Sequence, residues 1–272
     1  MSDTCLDARA PLPTTHSLPS SPPGSPRSLL REMGDRWTVA DLVHERALAC
    51  PSALAVEDAE MELTYRDLDR WATVVARVLG ARGAGRKSVV GIFLPRSARF
   101  AAGAFGVLKA GAAYLELDPE DPVERTEFLL RDSGSTYVLT SQELADQVPV
   151  GPWQTMVLTS MALRAGAQPD SQQAGIELAP APARAALDDL ACLVYSADSG
   201  ERRVGVTHRG LLDLNASGPE IWPCLAAGAT LQIPEGPARN SYEGRPPVVL
   251  PTPVRARAAR RAGRRGTPAL LP

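Results

Sequence analysis

Between Ser88 and Thr140 the sequence switches repeatedly between a strand-like and a helix-like pattern. Ser88 to Leu94 is a short apolar run stopped by Pro95. Ala98 to Lys109 carries apolar residues at helical spacing and stops at Gly111. Ala112 to Leu117 is a second apolar run, closed by Asp118-Pro119. Pro122 to Asp132 reads as a helix with proline in its first turn, and Thr136 to Thr140 as a third strand. Short apolar strands separated by helices are joined by crossovers, and crossovers make the strands parallel. The expectation is an α/β fold of stacked helix and sheet layers around a largely parallel sheet.

The neighbouring segments extend this pattern. Thr38, with Asp41 three residues on, has the spacing of a capping box, and Val39, Leu42, Val43 and Ala47 then mark one helical face up to Pro51. Ala53 to Glu57 and Met61 to Thr64 read as a hairpin. Thr64 with Asp67 repeats the cap, and Leu68, Trp71, Ala72, Val75 and Leu79 form the next helical face, which ends at Gly83. Residues 161–186, rich in Ala, Pro and Gln, read as a loop. Leu190 to Tyr195 is a buried-type strand, followed by a polar, glycine-containing loop from Ser196 to Gly205. His208 to Leu214 and Glu220 to Ala227 read as short helices, and Ala229 to Ile233 as a last strand.

The two ends differ from this middle. Residues 1–34 are Pro- and Ser-rich and aperiodic, which predicts a disordered lead. Residues 239–272 form an Arg/Pro-rich tail without an acidic residue after Glu243, and Arg255, Arg257, Arg260, Arg261, Arg264 and Arg265 crowd it. With so little apolar surface to bury, it too is expected to be disordered. Such a tail is either a contact for nucleic acid or anionic membrane, or a shifted frame of GC-rich DNA, which yields Arg, Ala, Gly and Pro.

Charge and cysteine usage narrow the function class. The 272 residues carry 29 basic and 31 acidic side chains, a net charge of −2, which argues against a dedicated nucleic-acid binder. No apolar run reaches membrane-spanning length, and the N-terminus has no signal-peptide core. Cys5, Cys50, Cys192 and Cys224 lie far apart, as do His16, His44 and His208. Reduced thiols, a cytoplasmic setting and no structural zinc are therefore expected. Only two of the 29 basic residues are lysines, Lys87 and Lys109.

Four stretches together carry a family resemblance. They are Leu63-Thr-Tyr-Arg-Asp-Leu68; Leu108-Lys-Ala-Gly-Ala-Ala-Tyr-Leu115 with Asp118-Pro119; Leu193-Val-Tyr-Ser196 leading to Val206-Thr-His-Arg-Gly-Leu211; and Glu220-Ile-Trp-Pro223 with Ala227-Gly-Ala-Thr230. In this order, from about Trp37 to Ile233, the chain resembles the adenylation domains of nonribosomal peptide synthetases, members of the AMP-forming acyl- and aminoacyl-adenylating group. The resemblance implies the N-terminal α/β subdomains of that fold, within residues 35–238. It also implies ATP and magnesium as cofactors, an amino acid substrate joined to AMP with release of pyrophosphate, and a carrier protein or peptide-synthetase subunits as partners. A small C-terminal domain completes such enzymes by supplying a lysine. No counterpart of that domain, nor of a phosphopantetheine-bearing serine, follows Ile233, so the chain is expected to be a truncated form.

Carried over residue by residue, the resemblance is incomplete. The family's phosphate loop is rich in Gly, Ser and Thr and contains a lysine, because phosphate charge calls for backbone N–H groups, hydroxyls and a cation. Here Ser196, Ser199, Gly200 and Gly205 match its hydroxyl and glycine character, the lysine is absent, and either Arg202 or Arg203 replaces it or the segment, with Glu201 beside the arginines, is a solvated polar loop. Asp198 has the wrong sign for phosphate, and arginine does not replace lysine freely at close quarters. Asn215 occupies the place of the aspartate that pairs with the substrate ammonium group and cannot supply its charge. The chain also passes almost directly from the His208 helix to Glu220, where the family has a few tens of residues more. An internal deletion near residue 214, with apolar sheet surface left bare, is the expectation. His208, at a helix start, faces either phosphate or water, and Trp71, Trp153 and Trp222 read as packing residues. Three outcomes stay open: a chain incompetent in adenylation, a nucleotide- or partner-binding module, or one part of a split enzyme.

Overall fold

The computed structural model describes residues 37–158, 185–196, 202–212 and 221–233. The expected lead and tail, residues 161–184 of the expected loop, and the candidate residues Ser199, Gly200 and Asn215 lie outside these segments.

Helix α1 spans Val39–Ala49 and begins with the predicted capping box. The Thr38 hydroxyl accepts from the Asp41 amide at 3.2 Å, and the Asp41 carboxylate accepts from the Thr38 amide at 3.0 Å. Strands β1 (Leu54–Glu57) and β2 (Glu62–Thr64) pair antiparallel as the expected hairpin. Helix α2 (Tyr65–Ala81) is capped by Thr64 and buries Tyr65, Leu68, Trp71, Ala72, Val75, Ala76 and Leu79, one face at helical spacing. Then come β3 (Val89–Phe93), α3 (Ala98–Lys109), β4 (Ala113–Leu117), α4 (Val123–Ser133) and β5 (Tyr137–Thr140). Pro122 is the N-cap of α4 rather than a first-turn residue, and Gly134 closes the helix in the left-handed region at φ 69°, where an L side chain is strained.

After a 3-10 turn at Ala145–Gln147, β6 (Gln154–Val157) follows, a strand the sequence reading missed. Strands β7 (Leu190–Ser196) and β8 (Arg202–Thr207), helices α5 (His208–Leu212) and α6 (Ile221–Ala227), and the two-residue strand β9 (Leu231–Gln232) complete the described chain.

The large sheet has the order β6-β5-β3-β4-β7-β8. All its neighbours are parallel except β7 and β8. A small sheet, β2-β1-β9, pairs β1 parallel with β9. The pleat sends alternate residues to opposite faces. Val90 and Ile92 of β3, Tyr114 of β4 and Leu139 of β5 join the core built with α1, α2 and α3. Val89, Phe93, Leu115, Leu117 and Val138 join the other core, under Leu129 and Leu130 of α4. The sheet is thus covered on both faces, as parallel sheets are. Helix α3 lies against α2 so closely that a Cβ on Gly106 would fall 2.4 Å from Val75 Cβ.

Helix α6 and β9 are integral to this packing. Trp222 is fully buried against Phe105 and Tyr114, and its indole N–H donates to the Tyr114 hydroxyl at 2.9 Å. The buried Tyr65 hydroxyl lies 2.9 Å from the Leu225 carbonyl oxygen and 2.8 Å from that of Ala229, and it shares its one proton between them. The bare sheet surface expected beyond Leu214 is therefore not seen among the described residues. Their exposed large apolar side chains are Leu48, Val123, Phe128 and Val150, none of them on a strand. Trp71 and Trp153 are buried as well. Cys50 is disulfide-bonded, which corrects the expectation of reduced thiols throughout, while Cys192 and Cys224 are in no disulfide. Among the described residues no helix is long and apolar enough to cross a membrane.

Candidate functional site

The segment read as a phosphate loop is a β-hairpin. β7 and β8 pair with Ser196 opposite Arg202, Tyr195 opposite Arg203, Val194 opposite Val204 and Leu193 opposite Gly205. The loop expected from Ser196 to Gly205 is thus shorter: Arg202 to Gly205 belong to the return strand. Val204 and Val206 explain this, since β-branched residues at alternate positions favour a strand over a loop. Gly205 lies inside the ladder, where a Cβ would come within 2.7 Å of Leu190 Cδ1, so its lack of a side chain serves packing. Ser196 and Arg202 stand at the hairpin mouth. Of the candidates, Ser196, Arg202, Arg203 and Gly205 are brought together on this one element.

Arg203 is already engaged. Its Nη1 donates to the main-chain carbonyl of Asp132 at 2.6 Å and lies 3.6 Å from the Asp132 carboxylate. Tyr195, its partner across the hairpin, donates its hydroxyl to the same carboxylate at 2.7 Å. Burial, and the adjacent Asp132 charge, push the Tyr195 phenol above its usual range.

Beside the hairpin the carboxyl ends of β3, β4 and β7 open into a small polar cleft. Arg96, just past β3, grips Glu116 of β4 through two hydrogen bonds of 2.7 and 3.2 Å. Asp118, Asp121 and Arg125 line the other wall, with Asp121 and Arg125 paired at 3.1 Å. The position follows from topology. β3 leads through α3 to β4 on one side, whereas β4 leads through α4 back across β3 to β5. Adjacent strands whose connections diverge leave a crevice at their carboxyl ends, the usual ligand position in open α/β sheets. The sequence reading missed this cleft, although Pro95-Arg96 and Asp118-Pro119 mark the two strand ends. Cys192 lines it but is fully buried, and its thiol is pushed up to about 12, so it is a packing residue rather than a nucleophile.

Neither lysine reaches this edge. Lys87, at φ 72°, precedes β3, and Lys109 ends α3 shortly before β4. Both therefore stand at the opposite end of the parallel strands, roughly a strand length of 17 Å away. Lys109 is committed besides. Its Nζ lies 2.7 Å from Asp69 Oδ1, 2.8 Å from Thr73 Oγ1 and 5.2 Å from the centre of the Phe105 ring. His44 Nδ1 meets the same Asp69 oxygen at 2.9 Å.

His208 follows the carboxyl end of β8, which runs antiparallel, so it too lies at the far end of the sheet. It is fully buried rather than facing solvent, and neither ring nitrogen has a hydrogen-bond partner among the described residues. Burial lowers its pKa to about 4, against the pull of Asp189 and Asp41. Between that value and the ordinary 6.5 the unfolded chain binds the extra proton, so acid favours unfolding. About 3 kcal/mol of stability should be lost as pH falls through this window. Urea unfolding of wild type and His208→Phe at pH 7, 5.5 and 4.5 checks this, with a flatter pH dependence expected for the variant.

The family model described as AMP-binding enzyme matches residues 43–200, more than half of the chain. The chain belongs to the AMP-binding enzyme family. It is similar to the linear gramicidin synthase of Brevibacillus parabrevis, in one of whose polypeptides 225 residues align at 33% identity, covering 73% of this chain and 3% of that polypeptide. It is also similar to the phosphinothricin tripeptide synthetase PhsC of Streptomyces viridochromogenes, 36% identical over 68% of this chain and 17% of that one. Among solved structures, the nonribosomal peptide synthetase FmoA3 superimposes with a TM-score of 0.61 at 25% identity, covering 78% of this chain and 25% of that one. NpsA of Klebsiella oxytoca, in complex with 3-hydroxyanthranilyl-AMSN, superimposes with a TM-score of 0.59 at 20% identity, over 72% of this chain and 42% of that one. This AMP-binding family member thus spans a small part of its curated relatives' lengths. The fold it carries is an N-terminal part of an adenylation domain.

The sequence resemblance puts the phosphate-facing element at residues 196–205, of which 197–201 lie outside the described residues. Among the described residues no group of three or more His, Cys, Asp or Glu is placed to hold a metal ion, and no magnesium ligand is assigned.

Proposed function

We propose that this chain is a nucleotide-binding part of an amino-acid adenylation domain that does not by itself catalyse adenylation. The observation that carries this reading is the hairpin. Its ladder is paired out to Ser196 and Arg202, at the carboxyl edge of the parallel sheet and beside the polar cleft. A strand ending there presents backbone N–H groups toward a ligand, which suits the phosphate end of ATP. When bound, Mg-ATP supplies the family's chemistry, activation of a carboxylate as its anhydride with AMP. The cation expected beside those phosphates is the weak point. Arg203 is tied to Asp132, and the two lysines are at the other end of the sheet. Arg202, the other candidate from the sequence, would bring a guanidinium, a poor substitute for an ammonium ion at close quarters. The peptide-synthetase relatives favour an amino acid as the family substrate and a peptide-synthetase system as the setting.

The test is amino-acid-dependent exchange of pyrophosphate into ATP, run with the full chain and all the common amino acids. No exchange above the enzyme-free control is expected. Exchange with any amino acid would overturn the incompetence, because it requires the complete first half-reaction.

A further inference from the structure

We propose that Asp132 is a positioning residue that clamps the mouth of the β7–β8 hairpin to the end of α4. The inference rests on reading that hairpin as the nucleotide-facing element, and it gives Arg203 a different task from the one its sequence position suggests. Tyr195 and Arg203 are register partners, one on each strand, a single pair before the mouth at Ser196 and Arg202. Both converge on one residue of another element. Tyr195 donates to the Asp132 carboxylate at 2.7 Å, and Arg203 donates to the Asp132 carbonyl at 2.6 Å.

The two contacts differ in kind. A phenol donating to a charged carboxylate makes a charge-assisted bond, stronger than a neutral one. The Arg203 bond to the carbonyl takes up a main-chain acceptor in the last turn of α4, where the final carbonyls have no partner within the helix. A hairpin is stiffest where its strands are tied and loosest at its tip. A tie one pair from the mouth therefore holds the paired ends of β7 and β8 in place against α4. Arg203 belongs to this clamp and is not a phosphate ligand.

The experiment uses the full chain as wild type, Asp132→Ala, Asp132→Asn and Tyr195→Phe. Two quantities are read: hydrogen exchange of the backbone amides of Val194–Ser196 and Arg202–Val204, and the affinity for Mg-ATP. Asp132→Ala and Tyr195→Phe should speed exchange at the hairpin while the thermal midpoint barely moves. Asp132→Asn keeps an acceptor for the phenol and should restore protection. Mg-ATP affinity should fall about tenfold in Asp132→Ala and recover in the Asn variant. Unchanged hairpin exchange in Asp132→Ala and Tyr195→Phe overturns the carboxylate clamp, since both keep the main-chain carbonyl that accepts from Arg203. Faster exchange with unchanged Mg-ATP affinity overturns the positioning role. A wild type that does not bind Mg-ATP overturns the nucleotide reading, and with it the positioning role, while the exchange data still decide whether the clamp exists.

Discussion

Trp222→Ala is expected to destabilise the protein by about 3–5 kcal/mol, the cost of removing a large aromatic side chain from a closed core. Trp222 has no exposed surface, tilts against Phe105 and Tyr114, and spends its only donor on the Tyr114 hydroxyl. Alanine would leave a cavity between α6, α3 and the sheet and would take the indole donor from a buried hydroxyl. Chemical unfolding followed by circular dichroism measures the loss. The effect reports more than local packing, because it asks whether the segment after the short α5–α6 connection is part of the cooperative unit. A loss below about 1 kcal/mol, the range of peripheral substitutions, would show that α6 is a loosely attached appendage.

Asp69→Ala carries the second large effect. Asp69 on α2 meets Lys109 of α3 at 2.7 Å and His44 of α1 at 2.9 Å, so one carboxylate ties three helices. Removing it strands the Lys109 ammonium, whose side chain is 17% exposed. Breaking a buried pair from one side costs about 3–5 kcal/mol; some of this is relieved here by the Thr73 hydroxyl that still accepts from Lys109. The sign of the pH dependence follows from Lys109. Burial lowers its pKa in the folded protein, and Asp69 opposes that shift. Without Asp69 the folded value drops further below the unfolded one, so the folded state binds fewer protons than the unfolded state across a wider window. Stability of the variant should therefore rise as pH increases toward the ordinary lysine range, and the gap to wild type should narrow. Urea unfolding between pH 7 and 10 checks this, and a gap constant over that range would contradict the assignment.

What the sequence revealed of the fold depended on whether a signal was local. The Thr38–Asp41 and Thr64–Asp67 spacings located two helix starts because a cap is made within four residues. The parallel sheet was legible because short apolar runs punctuated by Pro, Gly and Asp leave few alternatives. β6 was missed because Gln154-Thr-Met-Val157 is half polar and has an edge position, where one side of the ladder is unpaired. β8 was missed because Arg202, Arg203 and Gly205 suggested a loop, while its strand character comes from pairing with β7.

At the candidate residues the tertiary contacts were not legible for the same reason. Sequence order puts Arg203 beside a phosphate loop. Only the tertiary fold brings Asp132, more than sixty residues earlier, against it. The Arg96–Glu116 pair likewise depends on two strands being neighbours. Ser196 and Arg202 stand at the hairpin mouth, whereas Ser199, Gly200 and Asn215 lie outside the described residues.

The central claim is that a cooperative α/β core presents a nucleotide-binding hairpin. The most direct measurement is thermal unfolding of the purified full chain, followed by tryptophan fluorescence, with and without Mg-ATP. The account predicts one cooperative transition, since Trp71, Trp153 and Trp222 are all buried in the folded core, and a midpoint that rises with Mg-ATP concentration, because a ligand that binds only the native state stabilises it. A broad change that is the same with and without Mg-ATP would contradict it.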